Sequence, residues 1–508
     1  MTEIRTLLRH STHYMGGQVG LTLIAFVSFP LFTRLFSVAD YGLMGLVLKI
    51  VGAATVLAKM GMQNSVTRFY EEEKASPDKE ALRRFYSTLF FGIGLGAVVL
   101  TVLFALGVWA LPAAMISSYL KDLLLFGSAL ILIRGTQAVL AGFLRVEGRT
   151  KTYNVLEILA KAAGLAIVVV LYFAWTRSLF AFFAGLIMAE AAIVIGMILA
   201  LLRRHLLDPR QFDFRFLRTV VAFGFPLIWY EFTYMVLDSG DRILVNYYSG
   251  AQALGYYSAA YNIAAYIRES MVSPINLALV PLYMKVWTTK GKQPTQVFLN
   301  RTLNAFLLLA VGVICAVFTT SHDALVFLGS QKYQAAHRLL PVLVVGLVFY
   351  TLHIFFIAGL LIYKKTSTMA RLNFYACALN IGLNVVLLPR IGVMGAALAT
   401  LFSYLFVVIL MARASFPLLP LKIDYRACVR YVLVAAVAAL LVSRIELGVA
   451  FWNLACKGLL SLLLYAGLLW AVDRNVRTLV RDVLRSVYAR SEEATTLAVE
   501  EVGAGVKN

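Results

Sequence analysis

Acidic residues are scarce in this chain and nearly missing from its apolar stretches: Asp and Glu number 26 among 508 residues, against 46 Lys and Arg. Apolar runs without carboxylates exclude a water-soluble fold, because charge is what a bilayer core tolerates least. Cysteine is equally sparse. Cys315, Cys377, Cys428 and Cys456 fall in or beside apolar stretches and form no CxxC pair, which argues against a disulfide framework or a zinc site. The phosphate loop GxxxxGK[ST] is missing, as are HExxH, GxSxG and any cluster of His and Cys ligands. Connecting segments are short throughout. The longest on the outer side, 321–338, is too small to house sugar transfer or polymerisation. No enzyme, cofactor or metal centre is expected.

What is present is hydrophobic length. Hydrophobic residues make up 61% of the chain, charged residues 14%, and the mean hydropathy is +0.81. A membrane helix needs roughly 20 apolar residues, and about fourteen such segments can be drawn. They lie near 14–34, 43–63, 86–111, 122–143, 153–175, 179–202, 219–245, 254–282, 302–320, 339–363, 372–389, 391–412, 428–446 and 452–472. The first is too long for a signal-peptide core and is expected to be the first span. Gly92, Gly94 and Gly96 lie inside a span, where small residues let helices approach, and do not mark a nucleotide site.

The connecting segments alternate in charge. One set holds roughly thirty Lys and Arg and the other about seven, so the basic set is cytoplasmic. The number of spans is then even and both termini lie inside. The net charge of +20 therefore reads as topology and attraction to anionic lipids. Nucleic acid is not an expected partner, because no basic, aromatic-interleaved soluble domain exists to bind it. After the last span, residues 473–490 alternate a Val/Leu face with Arg474, Arg477, Arg481 and Arg485, as an amphipathic helix on the inner leaflet would. The stretch after it is small and polar, as a flexible tail would be.

The chain divides near the basic, aromatic segment 203–218. Each half begins inside and holds an even number of spans, which predicts parallel repeats about an axis along the membrane normal. The first crossing ends in Pro30-Leu-Phe-Thr-Arg34 and runs on through Asp40-Tyr41-Gly42 to Gly45; the seventh ends in Asp241-Arg242 and leads to Leu254-Gly255-Tyr256-Tyr257. The expected domains are a six-helix bundle over 1–210, a second over 211–415, an extra helix pair over 416–472, and a cytoplasmic tail over 473–508.

The run Pro30 to Gly45, the stretch from Gly61 to Tyr70, and the Gly392-Val-Met-Gly395 to Thr400 segment together resemble the polysaccharide-biosynthesis flippases. These belong to the multidrug/oligosaccharidyl-lipid/polysaccharide exporter superfamily. The resemblance covers roughly residues 8–412. It implies a V-shaped pair of six-helix bundles that moves an undecaprenyl-pyrophosphate-type oligosaccharide across a bacterial cytoplasmic membrane by alternating access. The two further helices resemble those of the peptidoglycan-precursor branch, where the pair forms a groove for the lipid tail.

Ionisable residues inside spans point to function independently of any family, because each costs roughly 2.5–3.5 kcal/mol at a helix centre unless water or a partner meets it. The seventh span carries Glu231, Tyr234, Asp238, Asp241 and Arg242 on one stripe. The eighth carries Asn262, Glu269 and Asn276 at seven-residue spacing, with Arg268 midway along. On the first half stand Lys49, Lys59, Arg134, Glu157 and Lys161. A pyrophosphate needs cations in a low-dielectric cavity, and the planar fork of Arg suits it best. The expected substrate-binding residues are Arg268, Arg134, Lys59 and Lys161, with Arg68 at the cytoplasmic mouth. Asp238, Asp241 and Glu231 are the expected cation-coupling carboxylates for Na⁺ or H⁺. The spacings Glu157–Lys161 and Asp238–Arg242 equally allow internal neutralisation at i,i+4. Arg34 reads as a structural contact at an outer helix end, and His353 as a hydrogen-bonded packing residue.

The rival readings are a lipid II flippase, a cation-coupled multidrug exporter, and a non-transporting scaffold for polysaccharide synthesis. The exporter predicts a cavity of carboxylates and aromatics, which Lys59, Arg134, Lys161 and Arg268 oppose if they face inward. The expected partners are the lipid-linked oligosaccharide, anionic lipids and a polysaccharide polymerase.

Overall fold

The computed structural model describes residues 20–78, 80–112, 114–446, 448–473 and 476–478. Among these residues every regular element is a helix. In order they are α1 (Gly20–Leu35), α2 (Val38–Ala58), α3 (Met62–Lys74), α4 (Ala81–Ala110), α5 (Ser118–Gly127), α6 (Ala129–Val146), α7 (Thr150–Ala174) and α8 (Leu179–Arg203). Then come α9 (Phe214–Ser239), α10 (Asp241–Lys290), α11 (Lys292–Ala324), α12 (Leu339–Thr351), α13 (His353–Ile362), α14 (Thr366–Ile391), α15 (Val393–Ser415) and α16 (Tyr425–Val442), with a last segment over Ala450–Val472. Among the described residues eleven segments are long and apolar enough to cross a membrane, and α1 is a shorter apolar helix. Helices satisfy their own backbone groups, as a lipid environment requires. This is a multi-pass helical membrane protein.

Local chemistry fixes several helix starts. Ser37 caps α2 by accepting the Asp40 N–H at 3.0 Å, and Asp213 caps α9 by accepting from the N–H groups of Arg215 and Phe216 at 2.8 and 3.1 Å. Ser117 and Asp424 do the same for α5 and α16. The seventh apolar run, read as 219–245, is divided at Gly240 into α9 and α10, and the sequence hides the division because Ile243, Leu244 and Val245 carry its hydrophobicity past it. Beyond that, α10 runs on through a kink at Gly250, whose φ of 80° and ψ of 173° suit glycine and strain other residues.

The described chain forms two compact units. One contains Met1–Gln296 with Leu325–Leu421, the other Val297–Ala324 with Lys422–Asn508. In the second unit α11 packs with α16 and the last segment around Cys315, Tyr431, Tyr465 and Leu469, and the Tyr465 hydroxyl donates to the Leu308 carbonyl at 3.0 Å. Asp323 stands 3.5 Å from Lys457 there and accepts a hydrogen bond from Asn453. The amphipathic pattern of 473–490 lies outside the described residues except for Asp473 and 476–478.

In the first unit α2 and α10 meet backbone to backbone. A Cβ on Gly255 would lie 2.0 Å from the Val38 carbonyl oxygen, and one on Gly42 would lie 2.6 Å from the Gly255 nitrogen. The two glycine segments that look alike in the sequence are thus pressed against each other. Gly255→Ala is expected to cost about 1–3 kcal/mol, the usual penalty of overpacking a filled site. Gly94→Ala, whose Cβ meets nothing within 4 Å, should be neutral or mildly stabilising. Thermal unfolding of both variants checks this.

Candidate functional site

Two polar clusters lie inside the first unit. The first surrounds a cavity of about 430 Å³ bounded by α2, α6, α7, α8 and, through Met235, α9. Its charged lining consists of Lys59, Arg134, Arg145, Glu157, Lys161 and Glu190, so four basic side chains face two carboxylates. Arg134 grips Glu190 with both arms of its fork, Nε to Oε2 and Nη2 to Oε1, each at 2.8 Å. Glu190 is 4% exposed, and Lys161 Nζ approaches the same carboxylate to 4.0 Å. Glu157 accepts a hydrogen bond from Gln137 at 3.2 Å. Arg145 lies over the ring of Tyr153. Lys59 makes no ion pair with any described residue. The structure therefore gathers Lys59, Arg134 and Lys161 around one space with a surplus of positive charge.

The second cluster joins α2, α9, α10 and α15. Lys49 Nζ lies 3.0 Å from Asp238 Oδ2, which the Ser239 hydroxyl also reaches at 2.8 Å. The Tyr261 hydroxyl donates to Asp238 Oδ1 at 3.0 Å and sits 3.1 Å from the Tyr404 hydroxyl. Asp241 is buried and accepts through Oδ2 from the hydroxyls of Tyr257 and Thr400, while its Oδ1 has no hydrogen-bond partner among the described residues. Arg242 is buried over the face of Tyr261, its carbon 4.6 Å from the ring centroid. Tyr404 packs on Tyr350, and His353 stacks on the same Tyr350 ring and bonds the Tyr350 carbonyl. Arg268, with an 18% exposed side chain, lies 3.8 Å from Glu269, and its Nε has no partner among the described residues.

The remaining expected residues are placed separately. Arg68 stands exposed on α3 in an i,i+4 pair with Glu72. Glu231 is half-buried on α9. Asn262 donates to the Tyr41 hydroxyl at 2.7 Å, and the Asn276 side chain lies outside the described residues. Arg34 donates to the carbonyls of Pro30, Phe327 and Leu328, which makes it a clamp between chain segments. Neither internal i,i+4 pairing forms: Lys161 reaches Glu190, Glu157 takes Gln137, and Asp238 takes Lys49.

Sequence reasoning missed Glu190, Arg145, Tyr257, Tyr404 and, as a ligand of Asp241, Thr400. Glu190 was findable, since it is a lone carboxylate inside an apolar run and carries the same insertion cost as Arg134. The hydroxyl residues gave no signal, because uncharged Tyr and Thr are ordinary in spans.

A helical, multi-pass architecture enclosing a positively charged cavity is the class that this fold and site define. The chain belongs to the polysaccharide biosynthesis protein family, whose model matches residues 7–287, and a MatE family model matches residues 226–386. Among solved structures it is similar to the lipid II flippase MurJ in an inward closed conformation, with a TM-score of 0.72 at 14% identity over 91% of this chain and 99% of that one. It is also similar to an inward-facing multidrug resistance MATE family transporter of the MOP superfamily, with a TM-score of 0.57 at 13% identity over 77% and 97% of the two chains. At these identities the likeness is one of fold. An uncharacterized membrane protein of Methanocaldococcus jannaschii is 21% identical over 196 residues, 38% of each chain. The chain thus spans about two fifths of the length of that curated relative.

Proposed function

We propose that this protein is a flippase that carries an undecaprenyl-pyrophosphate-type lipid-linked oligosaccharide from the inner to the outer leaflet of a bacterial cytoplasmic membrane. It has fourteen spans with both termini inside: bundles over 1–210 and 211–415, an extra pair over 416–472 and a tail over 473–508. It performs no chemistry on its cargo, and a polysaccharide polymerase takes the product. The observation that carries this reading is the cavity where Lys59, Arg134, Arg145 and Lys161 outnumber Glu157 and Glu190. A pyrophosphate is the natural counter-charge for such a surplus, and weak screening inside the membrane raises the worth of each contact. Arg268 supplies a cation from α10, and Arg68 receives the headgroup at the cytoplasmic mouth. Asp238, Asp241 and Glu231 couple transport to Na⁺ or H⁺, and the unpartnered Oδ1 of Asp241 favours it among the three.

The likeness of fold to the lipid II flippase supports a second reading, the peptidoglycan precursor as cargo. Its pyrophosphate would use the same cations. A drug exporter fits less well, because cationic drugs would be repelled by this lining, and a scaffold would have no need of it.

The test measures lipid-linked oligosaccharide by leaflet in cells lacking the protein, complemented with wild type or Arg268→Ala. Inner-leaflet accumulation should be relieved by wild type. The alanine variant should flip roughly tenfold or more slowly, as loss of a hydrogen bond to a charged group predicts. No accumulation in the null cells would overturn the flippase, and accumulation of lipid II instead would select the second reading. Full rescue by the variant would remove Arg268 alone.

A further inference from the structure

A second cavity, of about 310 Å³, opens between α6, α7 and α8 at the end of the bundle where basic residues gather. Its throat is apolar, formed by Leu140, Phe143, Leu156, Ile193 and Met197. Ala192, Gly196 and Ala200 leave one wall low, and a Cβ on Gly196 would meet nothing within 4 Å. Its flanks face outward to hydrocarbon: Val155, Leu159, Ile195 and Leu199 are all exposed. A chain of lipid could therefore enter sideways.

The mouth carries the opposite chemistry. Glu147 is fixed there by the Tyr86 hydroxyl at 2.6 Å and by Arg204 Nη1 at 2.9 and 3.0 Å, with Arg149 at 3.7 Å. Both arginine side chains remain about half exposed, at 44% and 51%, beyond this single carboxylate. Lys151 and Arg203 stand beside them in sequence, also exposed. One negative charge thus holds two arginines over an apolar slot, and their outer faces stay positive.

We infer that this cavity binds an anionic phospholipid of the surrounding leaflet, one acyl chain in the slot and its phosphate on Arg149 and Arg204. Apolar depth with a cationic rim matches that amphiphile and rejects a neutral one, whose headgroup would leave the arginines without a counter-charge. The site is separate from the proposed cargo cavity, with which it shares no lining residue. The inference relies on the proposed orientation, with this basic end facing the anionic inner leaflet, and not on any cargo.

The test uses purified full-length protein and phosphatidylglycerol with a photoactivatable diazirine in one acyl chain, with phosphatidylcholine carrying the same tag as control. Phosphatidylglycerol should label residues 140–156 and 192–201 and saturate, and phosphatidylcholine should not. Arg149→Gln should weaken that labelling about fivefold, the worth of roughly one basic residue at an anionic surface. Gly196→Leu should abolish it, and thermal unfolding confirms that this variant is folded. Equal labelling by the two lipids, or undiminished labelling in both variants, would overturn the site. Displacement by a polyprenyl phosphate but not by excess untagged phosphatidylglycerol would hand the pocket to a cargo-like lipid and also refute the inference. None of these readouts depends on transport, so failure here leaves the flippase reading untouched, and the reverse holds as well.

Discussion

Replacing Glu190 with alanine is expected to destabilise the protein by about 3–5 kcal/mol, the cost of removing one partner from a buried ion pair. Glu190 is the sole carboxylate that meets both arms of Arg134 among the described residues, and Lys161 shares it. Without it, Arg134 loses both of its hydrogen bonds and Lys161 its nearest carboxylate, and Glu157 is left as the one acidic residue of the lining. Thermal unfolding of the purified variant measures the loss. Glu190→Gln should fall between, because the amide keeps one acceptor for the guanidinium. Unfolding of Glu190→Ala at the wild-type temperature would mean that cavity water alone solvates Arg134. The same geometry bears on cargo. Glu190 occupies Nε and Nη2 of Arg134, which leaves Nη1 for a phosphate, whereas Lys59 is half-buried and makes no ion pair among the described residues. Lys59→Ala should therefore weaken cargo binding without the stability cost that Glu190→Ala incurs.

What the sequence made legible follows from which physics is local. Apolar runs and the alternating Lys/Arg bias are properties of neighbouring residues, and eleven of the expected segments stand out as membrane-length helices. Charge pairing is not local. The Asp238–Arg242 spacing suggested one turn of one helix, but α9 ends at Ser239 and α10 begins at Asp241, so the two residues belong to different helices. Glu157 and Lys161 do share an unbroken α7, yet each finds a partner on an adjacent helix, Gln137 on α6 and Glu190 on α8. Intrahelical pairs of this kind contribute only about 0.2–0.5 kcal/mol, so a desolvated partner across a helix interface outcompetes them. The convergence of Lys59, Arg134 and Lys161 on one cavity was expected from cost alone: cations that cannot face lipid must face something else. Thr400 entered the reading only as the end of a glycine-led segment. Its contact with Asp241, 159 positions away, is a product of the fold.

Asp238→Asn and Lys49→Met should each cost stability, and the double variant less than their sum, with a coupling of about 0.5–3 kcal/mol between the two sites. The pair spans 189 positions and ties α2 to α9, so it joins elements from the two halves of the chain. Asp238 is held on every side, by Lys49, Ser239 and Tyr261. A transported cation would therefore have to displace the Lys49 ammonium to reach it, whereas Asp241 keeps one oxygen without a hydrogen-bond partner among the described residues. These two routes separate in a flipping assay in vesicles with imposed Na⁺ or H⁺ gradients. If coupling runs through Asp238, Asp238→Asn abolishes gradient dependence and Lys49→Met cannot restore it, because the missing carboxylate was the ion's site. If Asp238 serves only as the counter-charge of Lys49, the double variant regains the stability and the gradient response that each single variant loses, and Asp241→Asn alone removes the response. Full-rate flipping without either gradient, with Asp238→Asn and Asp241→Asn both unimpaired, would remove cation coupling altogether. The cavity cations would then draw the headgroup inward with no ion to drive them, and consumption of the product would set the direction of transport.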